Sequence, residues 1–328
     1  MDNKDQFAAI GIDVGGTKIS AGVVLWPSGE LLHCSVIPTA PKRGGEAVLQ
    51  DTLKVAADLM QWSRAEGLSV TGIGAAIAEL VDPDGNVTSG QTIQWRGVPV
   101  RQRLAAIAPT HLDSDVRAAA LGEALFGAGK DSRLFIYLTA GTGISYCLVQ
   151  DGRPYMGARG NAILMGSSPL STTCTHCGTR LRPVLEEFSS GPALVERYLH
   201  SRAEARRSDA KHESVTRAED VFQVAASGDA IAAEVVRSAG EALGMSAGFL
   251  VNVLDPELVI VGGGVGLAGG LYWDAFTQAT REHIWSDASR AIPIVSAGLG
   301  VHAALVGAAA GFVTRQLSSK STYGEKHN

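Results

Sequence analysis

The sequence predicts an α/β protein with two similar lobes. A first apolar strand runs into a glycine-rich turn between Ile10 and Lys18, and a second strand, Ile19 to Trp26, follows it. The same pattern recurs between Phe135 and Gly143, and its second strand ends near Val149. Such strands alternate along the chain with helical segments, as is typical of α/β folds. Because the hairpin is duplicated, we expect two related lobes that face one cleft.

The first turn has the composition of a phosphate-binding loop. Gly15 and Gly16 let the backbone approach a ligand closely, so that main-chain N–H groups can face a phosphate. Thr17 adds a hydroxyl donor and Lys18 a positive charge, and Asp13 is placed to hold a water of a phosphate-bound Mg²⁺. Two glycines alone would favour an ordinary hairpin. The second copy of the pattern favours phosphate binding.

Other elements follow from apolar runs and their breakers. A third strand, Leu31 to Ile37, precedes a long amphipathic helix from about Glu46 to Glu66. Val70 to Ile77 is an apolar run without alternation, as in a strand buried on both faces. A short strand, Thr110 to Asp113, then leads into a helix, Val116 to Phe126. The later elements are helices at Val184 to Ser201, Ala218 to Ser227, Asp229 to about Val253, from about Tyr272 and at Ala303 to Gln316, with strands at Glu257 to Val261 and Ile292 to Ser296.

Composition narrows the function classes. The 328 residues suggest two domains or lobes, and a net charge of −5 gives no basic surface for nucleic acid or an anionic membrane. Met1 to Gln6 is polar and acidic, and no apolar run is long enough to span a bilayer, so we expect neither a secretory signal nor a membrane segment. Four cysteines are too few for a disulfide scaffold, which favours a cytoplasmic location.

Four motifs carry a resemblance to a known family. They are Asp13-Val14-Gly15-Gly16-Thr17-Lys18, Asp115-Val116-Arg117-Ala118-Ala119-Ala120-Leu121-Gly122-Glu123, Gly141-Thr142-Gly143 and Val261-Gly262-Gly263-Gly264. In this order they resemble the ROK family of sugar kinases and repressors, within the sugar kinase, Hsp70 and actin superfamily. The resemblance implies two actin-like, ribonuclease H-like lobes, with mixed sheets flanked by helices around a central cleft.

The same resemblance implies boundaries and site residues. The N-terminal lobe would cover 1–125 and the C-terminal lobe 126–302, with a helix at about 303–317 packed back onto the first lobe. Independently of the resemblance, we expect a disordered tail at 318–328. Asp115 would be the catalytic base; from spacing alone, a helix N-cap is the better interpretation of this residue. ATP and Mg²⁺ would be bound through Asp13, Gly15, Gly16, Thr17, Lys18, Gly141, Thr142, Gly143, Gly263 and Gly264.

The chain departs from the family where the family binds sugar. Ser114 and Arg117 replace asparagines around Asp115, Ala78-Glu79 replaces Pro-Gly, and Gln91 replaces a sugar-binding Asn. Leu164 replaces a sugar-binding Glu. Ser167 replaces a His that binds both sugar and zinc, whereas Glu186 matches the remaining sugar-binding Glu. The predicted sugar-binding residues are therefore Glu79, Gln91, Ser114, Asp115, Ser167 and Glu186.

The zinc motif of the family is incomplete as well. Cys174 and Cys177 have the spacing of half a tetrahedral site, and His176 could join them. Val184 stands where a third Cys would be, so we expect no structural zinc.

The resulting prediction is an ATP-dependent sugar kinase that phosphorylates a hydroxyl of a hexose derivative, and the expected hydroxyl is O6. We expect the protein to be a homodimer. We expect an amino-hexose such as 3-amino-3-deoxyglucose rather than glucose, because Leu164 cannot accept a sugar hydroxyl and because Glu79, Asp113, Asp115 and Glu186 would make the pocket acidic. The alternative for Glu79 and Asp113 is exposure to solvent.

Three other functions stay open at this point. They are a glucokinase, an N-acylhexosamine kinase and a sugar-sensing regulator without catalysis. Only twelve residues precede Asp13, so the helix-turn-helix module of the family's repressors would not fit there, and we expect no nucleic-acid partner.

Overall fold

The computed structural model describes residues 6–205 and 215–324. In chain order, its elements begin with β1 (Phe7–Val14), β2 (Lys18–Trp26), β3 (Leu31–Pro38), α1 (Gly45–Ala65), β4 (Val70–Ile77), α2 (Val100–Ala105), β5 (Thr110–Ser114), α3 (Asp115–Phe126), β6 (Leu134–Ala140), β7 (Ile144–Gln150) and β8 (Arg153–Pro154). They continue with β9 (Thr172–Thr173), β10 (Arg180–Leu181), α4 (Glu186–Ser189), α5 (Gly191–Glu204), α6 (Ala218–Ala226), α7 (Ala230–Leu254), β11 (Leu258–Gly262), α8 (Gly270–His283), α9 (Asp287–Arg290), β12 (Ile294–Ser296) and α10 (Ala303–Gly324).

The chain divides into two compact units. The first comprises 1–133, 147–163 and 301–328, and the second comprises 134–146 and 164–300. The predicted lobes, 1–125 and 126–302, differ from these units chiefly in segment 147–163, which belongs to the first unit.

A five-stranded mixed sheet forms the centre of the first unit, in the order β3-β2-β1-β4-β5. The β1–β2 and β2–β3 pairs are antiparallel, whereas β4 runs parallel to both β1 and β5. Its inner face packs on α1 through side chains that are fully buried, including Ile10, Ile12, Leu49 and Ile73. The continuous apolar run predicted for β4 is confirmed by the burial of its last six residues.

Helix α10 returns to this sheet and packs on β1, β4 and α3. The packing is close enough to exclude side chains, since a Cβ on Gly74 would lie 1.8 Å from the Ala308 carbonyl oxygen. The helix continues to Gly324, whereas the sequence predicts a disordered tail from Ser318. No proline or glycine interrupts residues 312–323, so the backbone can stay helical there. Residues 325–328 lie outside the described residues.

The other five-stranded sheet has the order β12-β11-β6-β7-β8. Strand β11 is parallel to β6 and to β12. The helix predicted from Val184 to Ser201 is two helices, α4 and α5, because Ser190 is extended and accepts a hydrogen bond from Ala193 as an N-cap. Pro192 in the first turn of α5 fits that start. None of the described helices is long and apolar enough to cross a bilayer.

Candidate active site

The carboxylates of the first unit meet at one edge of its sheet. Strands β1, β4 and β5 are parallel, so their carboxyl ends lie at the same edge, where ligands bind in open α/β sheets. Asp13 lies near the end of β1 in register with Ala76 of β4, which in turn pairs with Asp113 of β5. Asp115 follows β5 as the first residue of α3. Parallel pairing therefore brings together two carboxylates that are far apart in sequence.

Asp115 and Asp13 are both difficult to ionise. Burial raises the pKa of Asp115 to about 6, although the backbone N–H of Val116 donates to its Oδ1 at 2.7 Å and Arg117 lowers the pKa. Burial, followed by the charge of Asp115, raises the pKa of Asp13 to about 7, against a lowering effect of Lys18. A group with a pKa near 6 is mostly ionised at neutral pH and is still basic enough to accept a proton.

Hydrogen bonds to the backbone of Gly15 hold the turn of the first hairpin. The Gly15 N–H donates to the Lys18 carbonyl at 3.0 Å, and the Thr39 hydroxyl donates to the Gly15 carbonyl at 2.7 Å. The side chains of Thr17 and Lys18 are exposed. Thr39 was not predicted as part of this turn, and the sequence holds no local signal for it because the contact crosses 24 positions.

The second hairpin repeats the turn. The Gly141 N–H donates to the Gly143 carbonyl at 2.9 Å, and the Gly141 carbonyl accepts from Gly191 at the start of α5 at 2.8 Å. The N–H groups of Val265 and Gly266 bond the carbonyl of Ala140, directly before the turn. The glycine run after β11 thus lies beside the second hairpin within one unit.

The two glycines of that run have different roles. Gly263 has a φ of +80°, and a Cβ there would lie 2.3 Å from the Ala140 carbonyl oxygen, so the fold itself requires glycine. A Cβ on Gly264 would meet no heavy atom within 4 Å. A Cβ on Gly141 would reach only ordinary contact, 3.7 Å from the Gly264 nitrogen. The fold leaves this backbone surface open for a ligand.

Glu186 lies against the second hairpin. Its Oε2 accepts from the Ile144 N–H at 2.8 Å and from the Ser167 hydroxyl at 3.5 Å. A Cβ on Gly143 would lie 2.8 Å from the same oxygen. Leu164 lies on the segment before Ser167 and is 44% exposed. Of the predicted sugar-binding residues, Ser167 and Glu186 are therefore in contact with each other.

Glu79 is neither a free carboxylate in a pocket nor a solvent-exposed one. Only 5% of the residue is exposed, and its carboxylate accepts hydrogen bonds from its own loop. One oxygen accepts from the Ser89 hydroxyl and the Gln91 N–H, and the other from the N–H groups of Thr92 and Ile93 at 2.8 and 2.7 Å. The Gln91 side chain is exposed on this loop. Glu79 thus shapes the loop that presents Gln91.

The Asp113 carboxylate is likewise hydrogen-bonded within the first unit. Its Oδ1 accepts from the Arg117 Nε at 2.6 Å and from the Ser114 N–H at 2.7 Å. The predicted acidic pocket therefore loses Asp113 as well as Glu79. Ser114 is fully buried, and its hydroxyl has no hydrogen-bond partner among the described residues.

Arg117 has a structural role that the sequence does not predict. Its guanidinium is fully buried and donates to the carbonyls of Gly160 and Val81 at 2.5 and 2.8 Å. Asp113 and Arg117 are four positions apart and form an ion pair, but Asp113 lies on β5 and Arg117 on α3, so the spacing is not the helical i,i+4 signal that a sequence would show.

The cysteine loop offers half of a metal site. Cys174 and Cys177 flank a tight turn between β9 and β10, in which the Gly178 N–H donates to the Cys174 carbonyl at 2.9 Å. Hydrogen bonds from Thr179 and Cys174 lower the pKa of Cys177 to about 7. Among the described residues, no cluster of three His, Cys, Asp or Glu side chains could hold a metal ion. The donor set here does not fit a four-ligand structural zinc.

Comparison with known proteins agrees with the motifs. The model of the ROK family matches residues 9–315, nearly the whole chain. The chain belongs to the ROK family. A glucokinase of Streptomyces coelicolor is 30% identical over 322 residues, covering 92% of this chain and 96% of the relative.

Solved structures give the same result. A ROK family glucokinase from Streptomyces griseus, in complex with glucose and AMPPNP, matches with a TM-score of 0.79 and 28% identity over 92% of this chain and 98% of its own. A ROK hexokinase from Thermus thermophilus matches with a TM-score of 0.71 and 31% identity, over 92% and 97% of the two chains. The predicted family and the predicted actin-like α/β fold with two mixed sheets are both confirmed.

Proposed function

We propose that this protein transfers the terminal phosphoryl group of ATP to a hydroxyl of a hexose or hexose derivative. The expected acceptor hydroxyl is O6. Its membership of the ROK family and its similarity to glucokinases and a hexokinase support a carbohydrate kinase. The observation that carries the proposal is Asp115, a carboxylate with a pKa raised to about 6 at the carboxyl edge of the sheet beside Asp13. A phosphoryl acceptor needs such a group to orient its hydroxyl and to take its proton.

The residues divide the work as follows. Asp115 accepts the proton of the attacking hydroxyl, and the raised pKa keeps the carboxylate basic enough to hold that proton. In the first unit, Thr17 and Lys18 are exposed and available to bind phosphate. In the second unit, the backbone at Gly141 and Gly264 is open to a nucleotide.

Magnesium fits the donor set of the first unit. Burial is the main cause of the raised pKa of Asp13, and the charge of Asp115 adds to it, so a cation at this edge would favour the ionised form of Asp13. Mg²⁺ in phosphoryl-transfer sites is held by one or two carboxylates together with the substrate phosphates, so Asp13 is the residue that would hold it. When bound, the ion neutralises phosphate charge.

The acceptor is proposed to be an amino-hexose such as 3-amino-3-deoxyglucose rather than glucose. Glu79 and Asp113 no longer support this choice, because their carboxylates are bonded within the first unit. What supports it is Leu164, an exposed side chain that cannot accept a sugar hydroxyl. An unpaired hydroxyl in a closed site costs about 1–3 kcal/mol, which is roughly a ten- to hundredfold discrimination against that sugar.

One assay tests the activity and the acceptor together. ADP release is measured with ATP and Mg²⁺ over a panel of glucose, glucosamine, 3-amino-3-deoxyglucose, N-acetylglucosamine and N-acetylmannosamine. Sugar-dependent turnover is expected, with the highest kcat/KM for an amino sugar. Preference for glucose or for the N-acetylated sugars would instead identify a glucokinase or an N-acylhexosamine kinase. Sugar binding without any ADP release would identify a sensor.

We also propose that the protein is a homodimer through an apolar stripe on α7. Met245, Phe249 and Val253 recur at every fourth position and are 45%, 62% and 61% exposed. Trp285, whose N–H donates to the Asn252 side chain on α7, is 89% exposed. Residues 242–254 contain no charged side chain, which is typical of an interface core. Light scattering of the wild type is expected to give twice the chain mass, and Phe249→Glu is expected to give the monomer. A monomeric wild type would refute the dimer.

A further inference from the structure

The loop between β4 and α2 is fastened from inside by a single carboxylate. Glu79 lies two positions after the end of β4, and both of its oxygens accept hydrogen bonds from residues 89–93 of the same loop. Hydrogen bonds between a carboxylate and backbone N–H groups are among the stronger ones in proteins. Ile93 at the end of this segment and Trp95 just after it are fully buried, and the Trp95 indole donates to the Gly45 carbonyl at 2.7 Å. The exposed Gln91 is thus held between two fixed points.

This loop lies at the edge that carries the candidate base. Glu79 follows the carboxyl end of β4, and β4 is the neighbour of both β1 and β5. The strand ends that carry Asp13 and Asp115 therefore flank the start of the loop. A segment placed there can touch an acceptor whose hydroxyl points at Asp115.

A second fastening connects the loop to the helix that starts with Asp115. Arg117 lies in the first turn of α3, and its guanidinium bonds the carbonyls of Val81, in the loop, and of Gly160, in segment 147–163. Gly160 also packs directly on the loop, since a Cβ there would lie 2.1 Å from the Val81 carbonyl oxygen. The Asp113 carboxylate holds the other side of the guanidinium. One buried cation thus joins three segments.

We propose that Glu79 and Arg117 are positioning residues for the acceptor: Glu79 shapes the segment that presents Gln91, and Arg117 locks that loop to the helix that carries Asp115. Neither residue touches the reacting atoms. This inference rests on the proposed sugar kinase activity.

The test compares Glu79→Gln with Asp84→Asn, a change of the same kind at an exposed carboxylate of the same loop. Gln retains one oxygen for the four donors that Glu79 serves and turns an NH₂ group toward the others. For Glu79→Gln, the KM of the acceptor sugar is expected to rise at least tenfold, while the KM of ATP changes less than twofold. Asp84→Asn is expected to leave both constants unchanged.

Hydrogen exchange gives a readout that does not depend on activity. The amides of Gln91, Thr92 and Ile93 are expected to exchange at least tenfold faster in Glu79→Gln than in the wild type, while the amides of β1 keep their rates. Arg117→Lys keeps a positive charge beside Asp113 but cannot bond both carbonyls. It is expected to raise the acceptor KM and to speed exchange at Val81 and Gly160, whereas Arg103→Lys, at a half-exposed ion pair on α2, changes neither.

The outcomes separate this inference from the proposed function. A wild type without sugar-dependent ADP release refutes the kinase activity, and the acceptor role falls with it. A wild type that turns over sugar, with Glu79→Gln unchanged in acceptor KM or in amide exchange, refutes the positioning role and leaves the kinase in place. Equal loss of affinity for sugar and ATP would mean general structural support and would also refute it.

Discussion

The two glycine-rich hairpins share a backbone but differ in charge. In each, the N–H of the first glycine closes the turn by donating to a carbonyl two or three residues ahead, Lys18 in the first hairpin and Gly143 in the second. Where the first hairpin has Asp13 before its glycines, the second has Thr139. Where the first hairpin ends in Lys18, the second continues into the apolar Ile144, whose N–H donates a hydrogen bond to the Glu186 carboxylate.

The difference shows how a duplicated scaffold can be specialised. The first unit gathers the charged chemistry, with two carboxylates of raised pKa and a lysine beside one turn. The second unit offers an open backbone at Gly141 and Gly264, where no side chain is needed to approach a nucleotide. We therefore expect substitutions in the first unit to change the rate of chemistry and those in the second to change nucleotide binding.

The largest effect is expected for Asp115→Asn. Loss of a positioned base typically lowers kcat by about 10²–10⁴-fold. Because burial raises the pKa of Asp115, ionising it costs the folded state free energy as pH rises from the unfolded value of 3.8 through about 6. The amide avoids that cost. Asp115→Asn should thus be inactive yet more stable at pH 8, by on the order of 1–3 kcal/mol.

Urea unfolding at pH 5 and pH 8, with EDTA and without ligands, measures that gain. The stability advantage of Asp115→Asn should be larger at pH 8 than at pH 5. An inactive variant with no gain at either pH would contradict the raised pKa, and an active variant would remove Asp115 from the mechanism.

How much of the fold and of the candidate site can be predicted from the sequence depends on how far apart in the chain the contacting residues lie. The strands and the two turns follow from local pattern. Asp115 is assigned to the site only by the resemblance to the family, because its local spacing predicts a helix N-cap. The role of Glu79 does not, because its partners lie 10 to 14 positions away in an irregular loop whose path is set by tertiary packing. From sequence alone, Arg117 would be predicted to be a surface cation, because its partners, the carbonyls of Val81 and Gly160, are brought to it only by the tertiary fold.

The next effect compares Asp13 with Thr139, its counterpart in the second hairpin. Asp13→Asn is expected to lower kcat/KM by about 10–10²-fold and to raise the Mg²⁺ concentration needed for half-maximal rate, because carboxylates are the preferred oxygen ligands of this ion. Thr139→Val is expected to change neither quantity by more than a few-fold. Mg²⁺ titrations of both variants at saturating ATP provide the measurement. Equal effects at the two positions would mean that the hairpins are not specialised.

Within the second unit, Gly263→Ala and Gly264→Ala form a matched pair. Gly263 has a positive φ and no room for a Cβ, so its substitution is expected to destabilise the fold by about 1–3 kcal/mol. Gly264→Ala adds a methyl group to open space, so the apparent Tm should stay constant while the KM of ATP rises several-fold. Thermal unfolding and ATP titration of both variants distinguish the two roles. Normal ATP affinity in Gly264→Ala would place the nucleotide elsewhere.

The last prediction concerns stability alone and rests on His111, a further titratable group of the first unit. It lies on β5 with its Nε2 3.9 Å from the Asp113 carboxylate, next to the charges of Arg101, Arg117 and Arg315. Burial, reinforced by these arginines and opposed by Asp113, lowers the pKa of His111 to about 4. The unfolded chain therefore takes up a proton near pH 6.5 that the folded chain refuses until about pH 4, so His111 removes stability as pH falls through this window.

Asp13 and Asp115 act in the opposite direction over the same window, since their raised pKa values remove stability as pH rises. Removing the imidazole in His111→Gln should separate its effect on stability from that of the two carboxyl groups. The free energy of unfolding of the wild type, minus that of His111→Gln, is expected to fall by up to about 3 kcal/mol between pH 7 and pH 4. The same difference for His200→Gln, at a side chain that is 73% exposed, should change far less. Urea unfolding at four pH values measures both differences, and a His111 difference that stays constant with pH would mean that the folded protein admits the charged imidazole.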